Sequence, residues 1–169
     1  REERALSVLA TVVYGDPPRA RIDGGDLVYL EGTVPVRDEA AERRLAHGLA
    51  HRLGLSPGVR EEFVGEQAVG FVDRLDSWGG TVDGRAHHGF RRRSPLVPSL
   101  DASGGSFELE FVSEGAADGG RGSRAARKAG RADPGEVLRA WRAGESMVPL
   151  LQGGWAALPV DWLERFGHR

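Results

Sequence analysis

Apolar and polar positions alternate or recur along this chain in segments short enough to read one at a time. Ala5 to Tyr14 is apolar and β-branched until Gly15-Asp16-Pro17-Pro18 breaks it, which predicts strand and then turn. Arg19–Ile22 and Leu27–Leu30 flank Asp23-Gly24-Gly25-Asp26 and predict a hairpin. Asp38 is placed to cap a helix over Glu39–Leu53, with Ala41, Leu45, Leu49 and Leu53 as its stripe and Gly54 as its stop. Val64, Ala68, Phe71, Val72 and Leu75 recur at helical spacing and predict a second helix over Glu61–Leu75.

Thr81–Arg93 reads as strand or hairpin, and Ser94–Gly105, with Pro95 and Pro98, as a connector. Ser106–Val112 alternates strictly, with Phe107, Leu109 and Phe111 inward and Glu108 and Glu110 outward. Gly115–Ala132 is basic, glycine-rich and without apolar period, hence a loop. Asp133-Pro134-Gly135-Glu136 is a helix start, with Val137, Leu138 and Trp141 facing inward and an end near Gly144. Met147–Leu151 and Trp155–Leu158 predict two strands around Gln152-Gly153-Gly154, and Asp161 is expected to cap a last short helix.

This order predicts an α+β fold, mostly antiparallel sheets with packed helices. It divides into an N-terminal subdomain over 1–93, a connector over 94–105, and a strand-helix-strand-strand subdomain over 106–169 that carries the basic loop at 115–132. Trp141, Trp155 and Trp162 are assigned to the C-terminal core, and Trp78 to a helix end.

Composition narrows the chemistry. Among 169 residues there is no cysteine, which removes thiol catalysis, disulfides and cysteine-bound zinc. A net charge of -2 argues against a nucleic-acid coat, which would be basic overall, but not against local basic patches. Lys128 is the single lysine beside 22 arginines, so arginine number by itself carries little meaning. No apolar run has the roughly 18 residues of a membrane span, and no membrane partner is expected. A cytoplasmic setting is expected.

No phosphate-binding G-x-x-x-x-G-K-[ST] loop and no G-x-S-x-G elbow occurs, so no catalytic residue is assigned and no cofactor or metal is expected in this segment. His47 and His51 have a zinc-compatible spacing, yet they sit about opposite Leu45 beside Arg43 and Arg44 and read as a solvated helix face. His87 and His88, if on a strand, face apart. Glu61-Glu62 reads as acid favoured at a helix start, Glu108 and Glu110 as the outward face of a strand, and Glu42 as a structural partner for Arg37.

Two arginine-rich segments are candidates for nucleic-acid contact: Arg91, Arg92 and Arg93 beside Phe90, and Arg121, Arg124, Arg127, Lys128 and Arg131 in the glycine-rich loop. Several phosphate contacts together would give salt-sensitive binding without sequence preference.

Ser146-Met147-Val148-Pro149-Leu150-Leu151-Gln152-Gly153-Gly154-Trp155-Ala156-Ala157-Leu158-Pro159 resembles the helicase-associated region that precedes the ATPase core of bacterial SNF2-family proteins. Val34-Pro35-Val36-Arg37-Asp38-Glu39-Ala40-Ala41-Glu42 resembles a helix start in the same region. The resemblance implies a non-catalytic accessory domain, regulatory or docking, of a DNA-dependent ATPase. ATP and magnesium would belong to motor lobes in the same polypeptide, with DNA as a further partner. The chain opens Arg-Glu-Glu without methionine, and the expectation is a piece of a longer polypeptide. The alternative is an independent nucleic-acid-binding module using the arginine-rich loops.

Overall fold

The computed structural model describes residues 4–114 and 130–168. The fold is α+β, with four α-helices and several small antiparallel sheets among the described residues. Two compact units are present: Arg1–Gln67 with Arg74–Thr81, and Ala68–Asp73 with Val82–Arg169.

In the first unit, β1 (Ala5–Leu9) pairs antiparallel with β5 (Arg60–Val64), Leu6 opposite Phe63. A second sheet has the order β2 (Val13–Tyr14), β3 (Ala20–Asp23), β4 (Asp26–Tyr29), and the Asp23–Asp26 turn joins β3 to β4 as expected. Helix α1 spans Glu39–Leu53; the Asp38 carboxylate accepts from the Ala41 amide at its start, and Gly54 ends it. Of its anticipated apolar stripe only Leu53 is buried, while Leu45 is half exposed.

The expected helix over Glu61–Leu75 is corrected to strand β5 followed by helix α2 (Glu66–Asp76). Gly65, at φ 57° and ψ -123°, has a backbone that a helix does not pass through and that L side chains rarely adopt. The five residues before it satisfy their backbone groups on β1 instead. Ala68, Phe71 and Val72 are buried as the helical spacing required, whereas Val64 lies exposed on the strand.

The second unit contains the larger core. Its main sheet has the order β6 (Leu96–Asp101), β7 (Glu108–Ser113), β8 (Gly130–Ala132), all antiparallel. Half of the stretch anticipated as a connector is therefore a strand; Pro98, which has no amide to donate, fits because β6 is at the edge of the sheet. Phe111 and Ser113 point inward and Leu109 is partly buried, but Phe107 precedes the strand and is exposed.

Helix α3 (Pro134–Arg142) starts as its sequence dictates, the Asp133 carboxylate accepting from the Glu136 amide. Strands β9 (Met147–Pro149) and β10 (Trp155–Ala157) pair antiparallel. Helix α4 (Val160–Phe166) begins after Pro159, ahead of the anticipated Asp161 cap, and Asp161 lies in its first turn. Phe111, Val137, Val148, Ala156 and Leu163 meet in one buried cluster, with Trp141 and Trp162 packed against it. The rings of Phe111 and Trp162 meet edge to face at 5.5 Å. Among the described residues no helix is long and apolar enough to cross a membrane.

Candidate nucleic-acid interface

The hairpin of β9 and β10 organises both arginine-rich segments. Its turn closes through Leu150 N–H to Gly154 O at 2.9 Å and Gly153 N–H to Leu150 O at 3.2 Å. Arg91–Arg93 runs alongside β10, since Trp155 N–H donates to Arg91 O at 2.9 Å and Arg93 N–H to Trp155 O at 2.7 Å. The bridge between Arg92 and Trp155 is parallel, and Phe90 stacks on the Trp155 ring at 6.3 Å. On the other side, Leu151 N–H donates to Arg131 O at 2.8 Å, and Arg131 N–H to the Gln152 side chain at 2.7 Å. Two segments far apart in sequence thus attach to one hairpin.

Side-chain alternation then sorts the cluster. Arg92 is engaged: its guanidinium bonds the Asp73 carboxylate at 3.0 Å and lies 3.7 Å from the Met147 sulfur. Arg91 and Arg93 are exposed, with no ion pair among the described residues. The Arg93 stem lies over Gly154, where a Cβ would come within 2.8 Å of Arg93 Cγ and 3.0 Å of Arg91 O. Gly154 also has φ +85°, so a side chain there meets both backbone strain and a clash. Arg131 is tied to Glu110 at 2.8 Å. Arg121, Arg124, Arg127 and Lys128 lie outside the described residues; the strands on either side of that segment are paired, Ser113 opposite Gly130.

Of the candidate contact residues, Arg91 and Arg93 are therefore the two with uncommitted guanidinium groups in a defined setting. Two positions apart on extended backbone, they are spaced about 6.6 Å along the strand. A guanidinium fork matches phosphate geometry in a way a point charge does not.

Other candidate groups are placed differently from expectation. Thr81–Arg93 is not a strand or hairpin; residues Ala86–Phe90 form a short 3-10 turn, which brings the His87 and His88 rings edge to face at 4.3 Å. Glu61 and Glu62 lie exposed on β5, opposite Val8 and Ser7, rather than at a helix start. His47 and His51 stack nearly parallel, 6.4 Å apart, on exposed α1. No group of three metal-binding side chains occurs among the described residues.

The Glu42–Arg37 pair expected from sequence is present at 3.1 Å and belongs to a larger clamp. Arg37 also donates to Gly25 O at 2.7 Å, and the Tyr14 hydroxyl donates to Glu42 while accepting from the Asp38 amide at 2.9 Å. Hydrogen bonds from Arg37 and then Tyr14 hold the Glu42 carboxyl below its ordinary range. The bond to Glu42 raises the Tyr14 hydroxyl and the Arg37 guanidinium in turn. Arg139 is likewise raised, by Glu136 and then Glu145. Each of these groups joins neighbouring segments of the chain. Tyr14 and Asp73 had no sequence signal, because each is separated from its partner by many residues of unrelated structure.

No protein family, curated protein or solved structure matches this chain.

Proposed function

We propose that this chain is a non-catalytic accessory domain of an SNF2-type DNA-dependent ATPase, and that ATP and magnesium are handled by motor lobes elsewhere in a cytoplasmic parent polypeptide. The reading rests on the likeness of residues 34–42 and 146–159 to the helicase-associated region. The structural observation that supports it is the use made of the displaced titratable groups. Glu42, Tyr14 and Arg37 are committed to one local clamp and Arg139 to Glu136 and Glu145, so among the described residues each of these shifts has a structural partner as its first cause, which is the commoner origin of such shifts outside an active site. The test compares the parent protein with and without residues 1–169 for DNA-stimulated ATP hydrolysis and duplex affinity. A change in either supports the reading; identical values in both reject it.

A second reading, an independent nucleic-acid-binding module, is favoured by the uncommitted pair Arg91 and Arg93. Binding of a duplex by the chain alone would weaken as salt rises. Arg91→Gln with Arg93→Gln would lower the slope of log affinity against log salt by about 0.9 for each phosphate no longer neutralised. An unaltered slope rejects this use of the pair.

A further inference from the structure

Helix α1 carries a charged surface that neither reading uses. At about 100° per residue, Arg43, His47, His51 and Arg44 fall in that order within a sector of roughly 100°. All four are exposed. The sector runs about 12 Å along the axis from Arg43 to His51, at 1.5 Å per residue. The acids of the helix do not neutralise it: Glu42 bonds Arg37 at 3.1 Å, and Glu39 faces the same Arg37 at 3.9 Å. Glu39 is one turn ahead of Arg43, the usual spacing for a helical pair, yet Arg43 and Arg44 have no ion pair among the described residues. The two histidine rings lie parallel, at 5° and 6.4 Å, and add ring N–H donors between the arginines.

Gly48 borders this sector, one turn after Arg44. A glycine inside a helix is unfavourable relative to alanine. Packing does not account for it here, because a Cβ at Gly48 would meet nothing within 4 Å. Ala40 lies within the sector itself. Small residues beside clustered cations leave the helix surface low, so that an extended anion can approach the backbone closely.

We propose that the Arg43–Arg44–His47–His51 face of α1 binds the phosphodiester backbone of a nucleic-acid duplex, without reading its sequence. A lipid surface is the poorer match. A helix lying in a membrane interface inserts an apolar face, whereas here Leu45, Leu49 and Leu53 are on the side away from the basic sector, and Leu53 is buried within the protein. The inference concerns a surface separate from Arg91 and Arg93 and stands or falls independently of that pair.

The experiment measures binding of the whole chain to a fluorescein-labelled duplex across a salt titration, for the wild type and four variants. Arg43→Gln with Arg44→Gln is expected to weaken binding and to lower the log–log salt slope by about 1.8, at 0.9 per phosphate. The same loss is expected in a background carrying Arg91→Gln and Arg93→Gln. Gly48→Ala is expected to raise the melting temperature yet weaken binding. An unchanged slope in the Arg43/Arg44 variant overturns the proposal, whatever the Arg91/Arg93 variant does. Binding to phosphatidylserine vesicles in place of duplex, abolished in the same variant, overturns it equally.

Discussion

The two units differ in what keeps them folded. In the second, ten buried residues from the β6–β7–β8 sheet, α3, the β9–β10 hairpin and α4 form one apolar cluster. In the first, the buried apolar residues among those described are Leu6, Ala20, Leu53 and Leu55, while Val34, Leu45, Val59 and Val64 are left exposed. Its order depends more heavily on directional contacts: two small ladders, a capped helix and the Tyr14–Glu42–Arg37 clamp. The contrast teaches that two units of one chain can be vulnerable to different perturbations. Cavities threaten the second unit, and removal of a few polar groups threatens the first.

The largest expected effect breaks the second unit. Phe111→Ala removes a fully buried ring that packs on Trp162, and is expected to destabilise by about 3–5 kcal/mol. Chemical denaturation followed by tryptophan fluorescence measures this, because Trp141, Trp155 and Trp162 all report on that unit. A loss under about 1 kcal/mol, on the order of a surface change, would show that the cluster is not what holds it.

A smaller effect, confined to the first unit, is expected from acid. The Glu42 carboxyl is held below the ordinary 4.5 of glutamate, so its contribution is full above that value. It is lost as pH falls through the lowered folded-state value, because the unfolded chain takes up the proton first. Protection of α1 amides against hydrogen exchange should therefore decline between about pH 5 and pH 3 relative to α3 amides, in the range of carboxylate titration. Glu42→Gln should remove that pH dependence. Equal acid response in wild type and variant would show that the clamp does not stabilise α1.

The smallest effect sharpens the comparison. Asp133→Ala deletes a helix cap in the well-packed unit and should cost about 1 kcal/mol. Asp38→Ala deletes the equivalent cap on α1, where little burial compensates. Melting temperatures and α1 protection, measured on both variants, should show the greater local loss at Asp38.

What was legible in the sequence follows from the range of the forces involved. Helices α1 and α3, the Asp23–Asp26 hairpin and the β9–β10 pair were readable because caps, turns and periodicity act over a few residues. Strand β5 was not, since Arg60-Glu61-Glu62-Phe63-Val64 is compatible with helix until β1, far away in sequence, supplies a ladder beyond the reach of local propensity. Strand β6 was hidden by its prolines, which suit an edge as well as a loop. Among the basic residues, sequence located Arg91–Arg93 but did not separate the committed Arg92 from its neighbours. That distinction needs Asp73, which is brought in by tertiary structure. The face of α1 shows in the sequence as a spacing of histidines on a solvated helix; the structure adds that Glu39 and Glu42 are both turned to Arg37.

The turn at Leu150–Gly154 donates a backbone hydrogen bond to Gly89 on one flank and joins Arg131 on the other. The same five residues thus meet backbone from two separate parts of the chain, so a residue inserted in the turn is expected to disturb the Gly89 and Arg131 attachments together, while Arg131 keeps its place in the ladder opposite Val112.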